Sequence, residues 1–261
     1  VSDARPRLAV FKFASCDGCQ LSLLGLEKEL LALAERFEVA TFLEVSSRIA
    51  PGPYDVALVE GSITTAHDAE RIRAIREQTR TLITIGACAT AGGIQALRNA
   101  ADVVEWKAHV YPQPGWIDCL PTSTPIADHV RVDQQIHGCP VNPQQVLRTL
   151  TRALLGARPD LPGESVCIEC KRRGNVCVLV AKGAPCMGPV TRAGCGALCP
   201  SQGRDCYACF GPSEDPNPDA LARRLAALGL ERRDVVRRMR GVENWSPAFR
   251  AAAQRIEDGD V

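Results

Sequence analysis

The 261-residue chain is 46% hydrophobic and nearly balanced in charge, with 31 lysines and arginines against 30 acidic residues for a net charge of +1. That length and composition allow one large or two smaller cored domains and leave no electrostatic case for a nucleic-acid or anionic-membrane partner. No apolar run approaches the ~20 residues of a spanning helix, and VSDARPRLAVFKF has neither an apolar signal core nor a twin-arginine leader, so a cytoplasmic protein is expected.

In chain order, Leu8 to Phe13 reads as a strand that delivers Cys16 and Cys19 at its C-terminal end. Gln20 to Arg36 follows as a helix, with leucines at helical spacing. Val39 to Val45 and Asp55 to Val59 are apolar enough for buried strands. His67 to Gln78 reads as a charged helix, and Thr81 to Ile85 as a strand ending at Gly86-Ala87-Cys88. A short strand near Val132 to Ile136 precedes Gly138-Cys139-Pro140. Asn142-Pro143 then opens a helix to Leu155, with proline at a permitted early position. Such alternation implies a parallel sheet covered on both faces.

Near Arg158 the character of the chain changes. From there to Pro212 it is rich in Gly, Pro and Cys and shows little hydrophobic periodicity. This stretch is expected to lack an apolar core of its own, so that metal ligation supplies part of its folding free energy. From Pro218 a helical pattern returns, with Leu221, Leu225 and Leu228 on one face and Gly229 as a C-cap. The arginines at 232, 233, 237, 238 and 240 form a basic run, read as a solvated helix face or as a docking surface.

Thirteen cysteines dominate the composition. Cys16, Cys19, Cys88 and Cys139 all fall just beyond inferred strand ends, the edge where open α/β sheets bind ligands. Cys167, Cys170, Cys177, Cys186, Cys195, Cys199, Cys206 and Cys209 crowd together further on, and Cys119 is left over, a buried inert thiol by default. Twelve thiols are enough for three four-cysteine sites, the usual holders of iron–sulfur clusters. A disulfide framework fits poorly, because the chain is long and its cysteine count odd. Structural zinc is the stronger rival, since C-x-x-C pairs serve zinc equally well.

The motifs Ser15-Cys16-Asp17-Gly18-Cys19-Gln20, Glu60-Gly61-Ser62, Gly86-Ala87-Cys88-Ala89-Thr90-Ala91-Gly92-Gly93 and Gly138-Cys139-Pro140, with the cysteine series from Cys186-Met187-Gly188-Pro189 to Cys206-Tyr207-Ala208-Cys209, closely resemble the small subunit of nickel–iron hydrogenases. The resemblance covers residues 7 to about 212. It implies a flavodoxin-like parallel-sheet domain over residues 1–157. An irregular iron–sulfur domain with a short helical tail would follow over 158–261. It places a proximal 4Fe–4S cluster on Cys16, Cys19, Cys88 and Cys139. A distal cluster falls to Cys167, Cys170, Cys177 and Cys186, and a medial one to Cys195, Cys199, Cys206 and Cys209, although interleaving of the last eight stays open. Cys167 stands where many periplasmic members carry histidine, and the medial set has four cysteines where many uptake enzymes have three. Both departures point to the cytoplasmic, cofactor-coupled members.

By that resemblance the chain has no catalytic residue of its own. The nickel–iron centre lies on a partner large subunit, and FAD and NAD(P) lie on diaphorase partners joined by an additional iron–sulfur subunit. Glu60 resembles a position near the subunit interface and is read as a structural acceptor rather than a proton carrier. Alternatives are the deazaflavin- or heterodisulfide-linked hydrogenases, an iron–sulfur subunit of a non-hydrogenase redox complex, and a zinc scaffold.

Overall fold

The computed structural model describes residues 5–157 and 159–260; the expected domain junction falls at Arg158, outside the described residues. The chain divides into two compact units, residues 1–160 and 161–261.

The first unit is built on five parallel strands, β1 (Arg7–Lys12), β2 (Glu38–Phe42), β3 (Tyr54–Glu60), β4 (Thr79–Ile85) and β5 (Gln134–Ile136), in the order β2-β1-β3-β4-β5. This is the flavodoxin-like order, in which the crevice at the carboxyl ends of β1 and β3 is the place where ligands collect. The central strands are near-continuous apolar runs because both faces are covered. Phe11, Ala57, Val59 and Leu82 belong to the core on one face, with Ile72 and Ile75 of the helix α3 described below; Leu8, Val10 and Leu58 look the other way, toward Leu147 and Leu150.

The helices of this unit are α1 (Gly18–Leu24), α2 (Lys28–Arg36), α3 (Ala66–Glu77), α4 (Gly86–Ala91), α5 (Val103–Val110) and α6 (Pro143–Leu154). The single helix expected over Gln20 to Arg36 is in fact two. Gly25 follows α1, and Glu27 takes a positive φ of 33°, a conformation that ends helical hydrogen bonding; glycine is also the poorest helix former after proline. Capping residues set the other starts. Thr65 Oγ1 accepts from the Asp68 N–H at 3.1 Å, and Asn142 Oδ1 from Gln144 at 3.0 Å, directly before Pro143. Helix α5 was not read from the sequence, and none of its residues is buried.

The second unit holds three short helices, α7 (Val166–Arg172), α8 (Val178–Ala181) and α9 (Leu198–Ser201), then three longer ones, α10 (Pro218–Ala227), α11 (Arg232–Met239) and α12 (Pro247–Asp258). The expectation that the cysteine-rich stretch has no apolar core needs correction. Val178, Met187, Val190 and Ala208 share one buried cluster with Leu221, Leu225, Val235, Met239, Phe249 and Ile256. The tail is therefore the floor on which the cysteine loops rest. Its basic run is largely paired within the unit: Arg238 with Asp205 at 2.5 Å, Arg240 with Glu257 at 2.5 Å and Arg237 with Asp234 at 2.9 Å. Glu243 is buried beside Gly211, and burial holds its carboxyl well above the ordinary range against the opposing pull of Arg192.

Among the described residues no helix is long and apolar enough to cross a membrane. The outer edge of the sheet is tied by Asp133, whose Oδ2 accepts from Leu82 N–H at 2.8 Å and Arg76 NH1 at 2.6 Å. Burial pushes this carboxyl upward, but the Leu82 and Arg76 bonds outweigh it and leave the group below the usual aspartate value. Asp133→Ala should therefore cost about 2 kcal/mol in urea unfolding at neutral pH, the scale of bonds to a charged group. A depressed folded value means the contribution is complete above ~3.9 and is lost as pH falls through the lower folded value. The difference between variant and wild type should shrink over that acid range, and a constant difference would contradict the account.

Candidate metal centres

Four of the sequence-predicted cysteines meet at the carboxyl rim of the sheet. Cys16 follows the exit of β1, Cys19 lies in the first turn of α1, Cys88 is in α4 directly after β4, and Cys139 follows β5. The thiol of Cys19 interacts with those of Cys88 and Cys139, and Cys88 with Cys139 and Cys16. Cys19 is buried and Cys88 half-buried, while Cys16 and Cys139 face outward. Burial pushes the Cys19 thiol far up and Cys88 to about 11. Buried, mutually repelling sulfurs hold their protons until a metal replaces them, so loading this site must release protons.

The backbone is cut away around these sulfurs. Gly86 and Gly93 take φ of 82° and 67°, conformations that L side chains rarely adopt. A Cβ on Gly93 would stand 2.5 Å from Cys88 Sγ, and one on Gly86 would overlap Cys19 Sγ. Gly138 O accepts from the Ala87 N–H at 2.8 Å, joining the loops that carry Cys88 and Cys139. The donor set and this cradle suit a bulky cluster.

Glu60, the last residue of β3, holds the C-x-x-C loop in place. It is buried, and its two oxygens accept from the Cys19 N–H at 3.1 Å and the Gln20 Nε2 at 2.7 Å. Burial raises its carboxyl while those two bonds lower it. The expected acceptor role is what this geometry provides. Gln95, missed in the sequence, lies beside Cys88: its Oε1 is 3.5 Å from Cys88 Sγ and its Nε2 donates to Ala14 O at 2.6 Å.

In the second unit, Cys167 and Cys170 stand one turn apart on α7. Cys167 interacts with Cys186, Cys170 and Cys177, and Cys170 with Cys186 and Cys177, so these four thiols gather as one set. In the remaining set Cys206 interacts with Cys186 of the preceding set as well as with Cys209, while Cys195 is held against Glu169 and Cys199 lies near Arg204. The two sets adjoin at one point, where the Cys206 N–H donates to Cys186 Sγ at 3.3 Å. Burial lifts Cys206 to about 12. Among the described residues no three histidine, cysteine or carboxylate side chains converge on a point suited to a single metal ion.

Cys119 is half-buried on the loop after the 3-10 turn Pro114–Trp116. The loop is pinned by Leu120 N–H to Thr64 O at 2.7 Å and by Arg98 NH2 to Leu120 O at 3.1 Å.

Glu169 lies between Cys167 and Cys170 in sequence, yet its partners are 25 and 28 residues on, which no local pattern reveals. It accepts from the N–H groups of Gly194 at 2.9 Å and Ala197 at 3.1 Å, bracing the turn in which Ala197 takes φ 51°. Replacing it with alanine leaves two part-buried donors unmet, each a loss of ~1–3 kcal/mol. Glu169→Ala should lower the stability of the second unit by ~2–6 kcal/mol in anaerobic urea unfolding. Glu169→Gln, which keeps one acceptor oxygen, should lose about half as much; equal losses would show that the clamp is not the cause.

Residues 16–153 match the protein family described as NADH ubiquinone oxidoreductase, 20 Kd subunit. Over 240 residues the chain is 37% identical to the sulfhydrogenase 2 subunit delta of Pyrococcus furiosus, spanning 92% of this chain and all of that one. It is 33% identical to one of the subunits of the F420-non-reducing hydrogenase vhu of Methanococcus voltae, over 86% of this chain and 89% of the relative. A solved NAD+-reducing NiFe-hydrogenase in the H2-reduced state contains a chain 32% identical that superposes with a TM-score of 0.56, covering 60% of this chain and 96% of that one. The rim of four thiols on a 2-1-3-4-5 sheet and these similarities lead to one assignment: the chain belongs to this oxidoreductase family, among the small subunits of nickel–iron hydrogenases.

Proposed function

We propose that this chain conducts electrons between a nickel–iron centre on a partner large subunit and a further redox partner, through three 4Fe–4S clusters. The supporting observation is the arrangement of twelve thiols: four on the carboxyl rim of the sheet, and two further sets adjoining at Cys186 and Cys206. In this reading Cys16, Cys19, Cys88 and Cys139 hold the proximal cluster. Cys195, Cys199, Cys206 and Cys209 hold the medial one, and Cys167, Cys170, Cys177 and Cys186 the distal one. Bound clusters supply one-electron storage, with potentials tuned by hydrogen bonds to sulfur and by burial. The chain's own part is to fix the thiolates, exclude side chains at Gly86 and Gly93, and brace the loops through Glu60 and Glu169.

The large subunit has a natural seat on the segment between Cys88 and Cys139. Trp116 is 84% exposed there, Val104 65% and Val110 60%. A helix such as α5, apolar yet without a buried residue, is what an obligate interface leaves when its other half is missing.

The low-potential, all-cysteine ligand set suits delivery to a nicotinamide through flavin-bearing diaphorase subunits and an additional iron–sulfur subunit. Similarity to an NAD+-reducing enzyme supports this. The chain has no G-x-G-x-x-G after its first strand, so the dinucleotide would bind elsewhere. A second reading is an acceptor other than a nicotinamide, a heterodisulfide-linked one or a deazaflavin, and similarity to an F420-non-reducing hydrogenase counts against the deazaflavin.

Cys88→Ser should remove one cluster from a total of about twelve iron atoms and stop hydrogen turnover. Cys119→Ser should leave both iron content and activity intact, and an iron loss in that variant would mean the first set is wrongly assigned. Hydrogen-dependent reduction assays of the purified complex separate the acceptors. If neither NAD nor NADP is reduced while the flavin subunit is active, the nicotinamide reading fails.

A further inference from the structure

The surface around the distal cysteine set is rich in positive charge. From Lys171 to Lys182 the sequence holds four cations and no acid. Hydrogen bonds fold this stretch against the turn after α9. Arg173 NH1 donates to Ser201 Oγ at 3.0 Å, Asn175 Nδ2 to the same oxygen at 3.4 Å, and Lys182 Nζ to Gly203 O at 3.4 Å. Arg204, next to Gly203, turns instead to the Tyr207 hydroxyl at 3.2 Å, near Asp205 and Cys199.

The acids that could neutralise this face are engaged elsewhere. Asp205 pairs with Arg238, and Glu169 accepts from the backbone at Gly194 and Ala197. Among the described residues Arg172 pairs with Glu164 at 3.3 Å, an exposed pair worth little, and no ion pair engages Lys171, Arg173 or Lys182. The tail arginines, by contrast, are mostly matched within the unit. Unmatched cations held side by side repel one another, and an acidic partner relieves that repulsion.

Two apolar side chains lie on this face. Val176 and Val180 are 72% and 76% exposed, on either side of Cys177, itself exposed. An apolar centre inside a charged rim is the build of a transient protein interface, and here it surrounds a thiol of the distal set.

We propose that this face docks an acidic iron–sulfur electron-transfer protein, with Val176 and Val180 at the centre of the contact and Lys171, Arg173 and Lys182 at its rim. The proposal rests on the electron-conduction reading and names the partner class for its distal end. Each docking passes one electron: this chain is oxidised by one and the partner's iron–sulfur centre is reduced by one. The two electrons released with two protons from one H2 therefore need two such events.

The test takes the purified complex of this chain with its large subunit, free of diaphorase subunits, and titrates it with a small acidic ferredoxin, both proteins oxidised, and with a basic cytochrome c as the comparison. Wild type should bind the ferredoxin, more weakly as salt rises, and bind the cytochrome poorly. Lys171→Glu combined with Lys182→Glu should weaken ferredoxin binding at low ionic strength by ~10-fold or more, the scale of rim-charge effects. Iron content and visible absorption check that the variant is loaded. If it is not, Lys182→Gln, which keeps most of the side chain, should show a smaller weakening in the same direction. Val176→Asp should weaken binding beyond what added salt does. Unchanged ferredoxin affinity in the charge variants, or equal affinity for the cytochrome, would overturn the proposal. Because the binding titration needs no turnover, it reads the surface separately from conduction. Wild type that carries no iron would overturn the conduction reading and the electron-transfer role of this face with it.

Discussion

Four sulfurs that must stand within reach of one another, and that repel when charged, need a scaffold that forces them together without local help. The carboxyl edge of a parallel sheet is such a scaffold. Every strand of a βαβ array leaves the sheet in the same direction, so loops far apart in sequence are delivered to one rim. In this chain the rim collects Cys16, Cys19, Cys88 and Cys139, with Glu60 of β3 between them. The cost is visible in the thiols, whose proton affinity rises with burial. Metal binding offsets that cost, which ties the folding of the rim to its loading.

The second unit solves the same problem differently. It has no sheet to bring thiols together. Short helices and left-handed turns do so instead, and they are stabilised from beneath by α10, α11 and α12. Backbone bonds run between the paired loops, including Arg192 N–H to Gly211 O at 2.8 Å and Ser213 N–H to Val190 O at 3.0 Å. The Glu169 clamp ties the helix carrying Cys167 and Cys170 to the turn carrying Cys195. The two sets are thus joined through a carboxylate as well as through the buried cluster that Cys186 and Cys206 share.

Charge is distributed with the same division of labour. Four arginines of the tail, Arg237, Arg238, Arg240 and Arg255, are engaged in internal pairs with Asp234, Asp205, Glu257 and Asp219. Among the described residues, Lys171, Arg173 and Lys182 around Cys177 are not, and Arg172 has only its exposed pair with Glu164. A net charge of +1 for the whole chain hides this local imbalance, and only the folded arrangement separates solvated from structural cations.

The sequence by itself determined the strands, the order of the cysteine motifs and the family they indicate, because each depends on residues close in the chain. Apolar runs of five to seven residues mark strands, a proline after Asn142 marks a helix start, and C-x-x-C marks a ligand pair wherever it occurs. The break at Gly25 to Glu27, the exposed helix α5 and the core under the cysteine loops were decided by the tertiary structure. So were the partners of Glu169 and the basic face around Cys177. Each of these depends on which distant side chain lies opposite, a question that periodicity cannot answer: Met187 is buried because Leu225 and Phe249 come to lie against its cluster. Local rules set the elements; burial and charge pairing across many residues of separation set what the elements do.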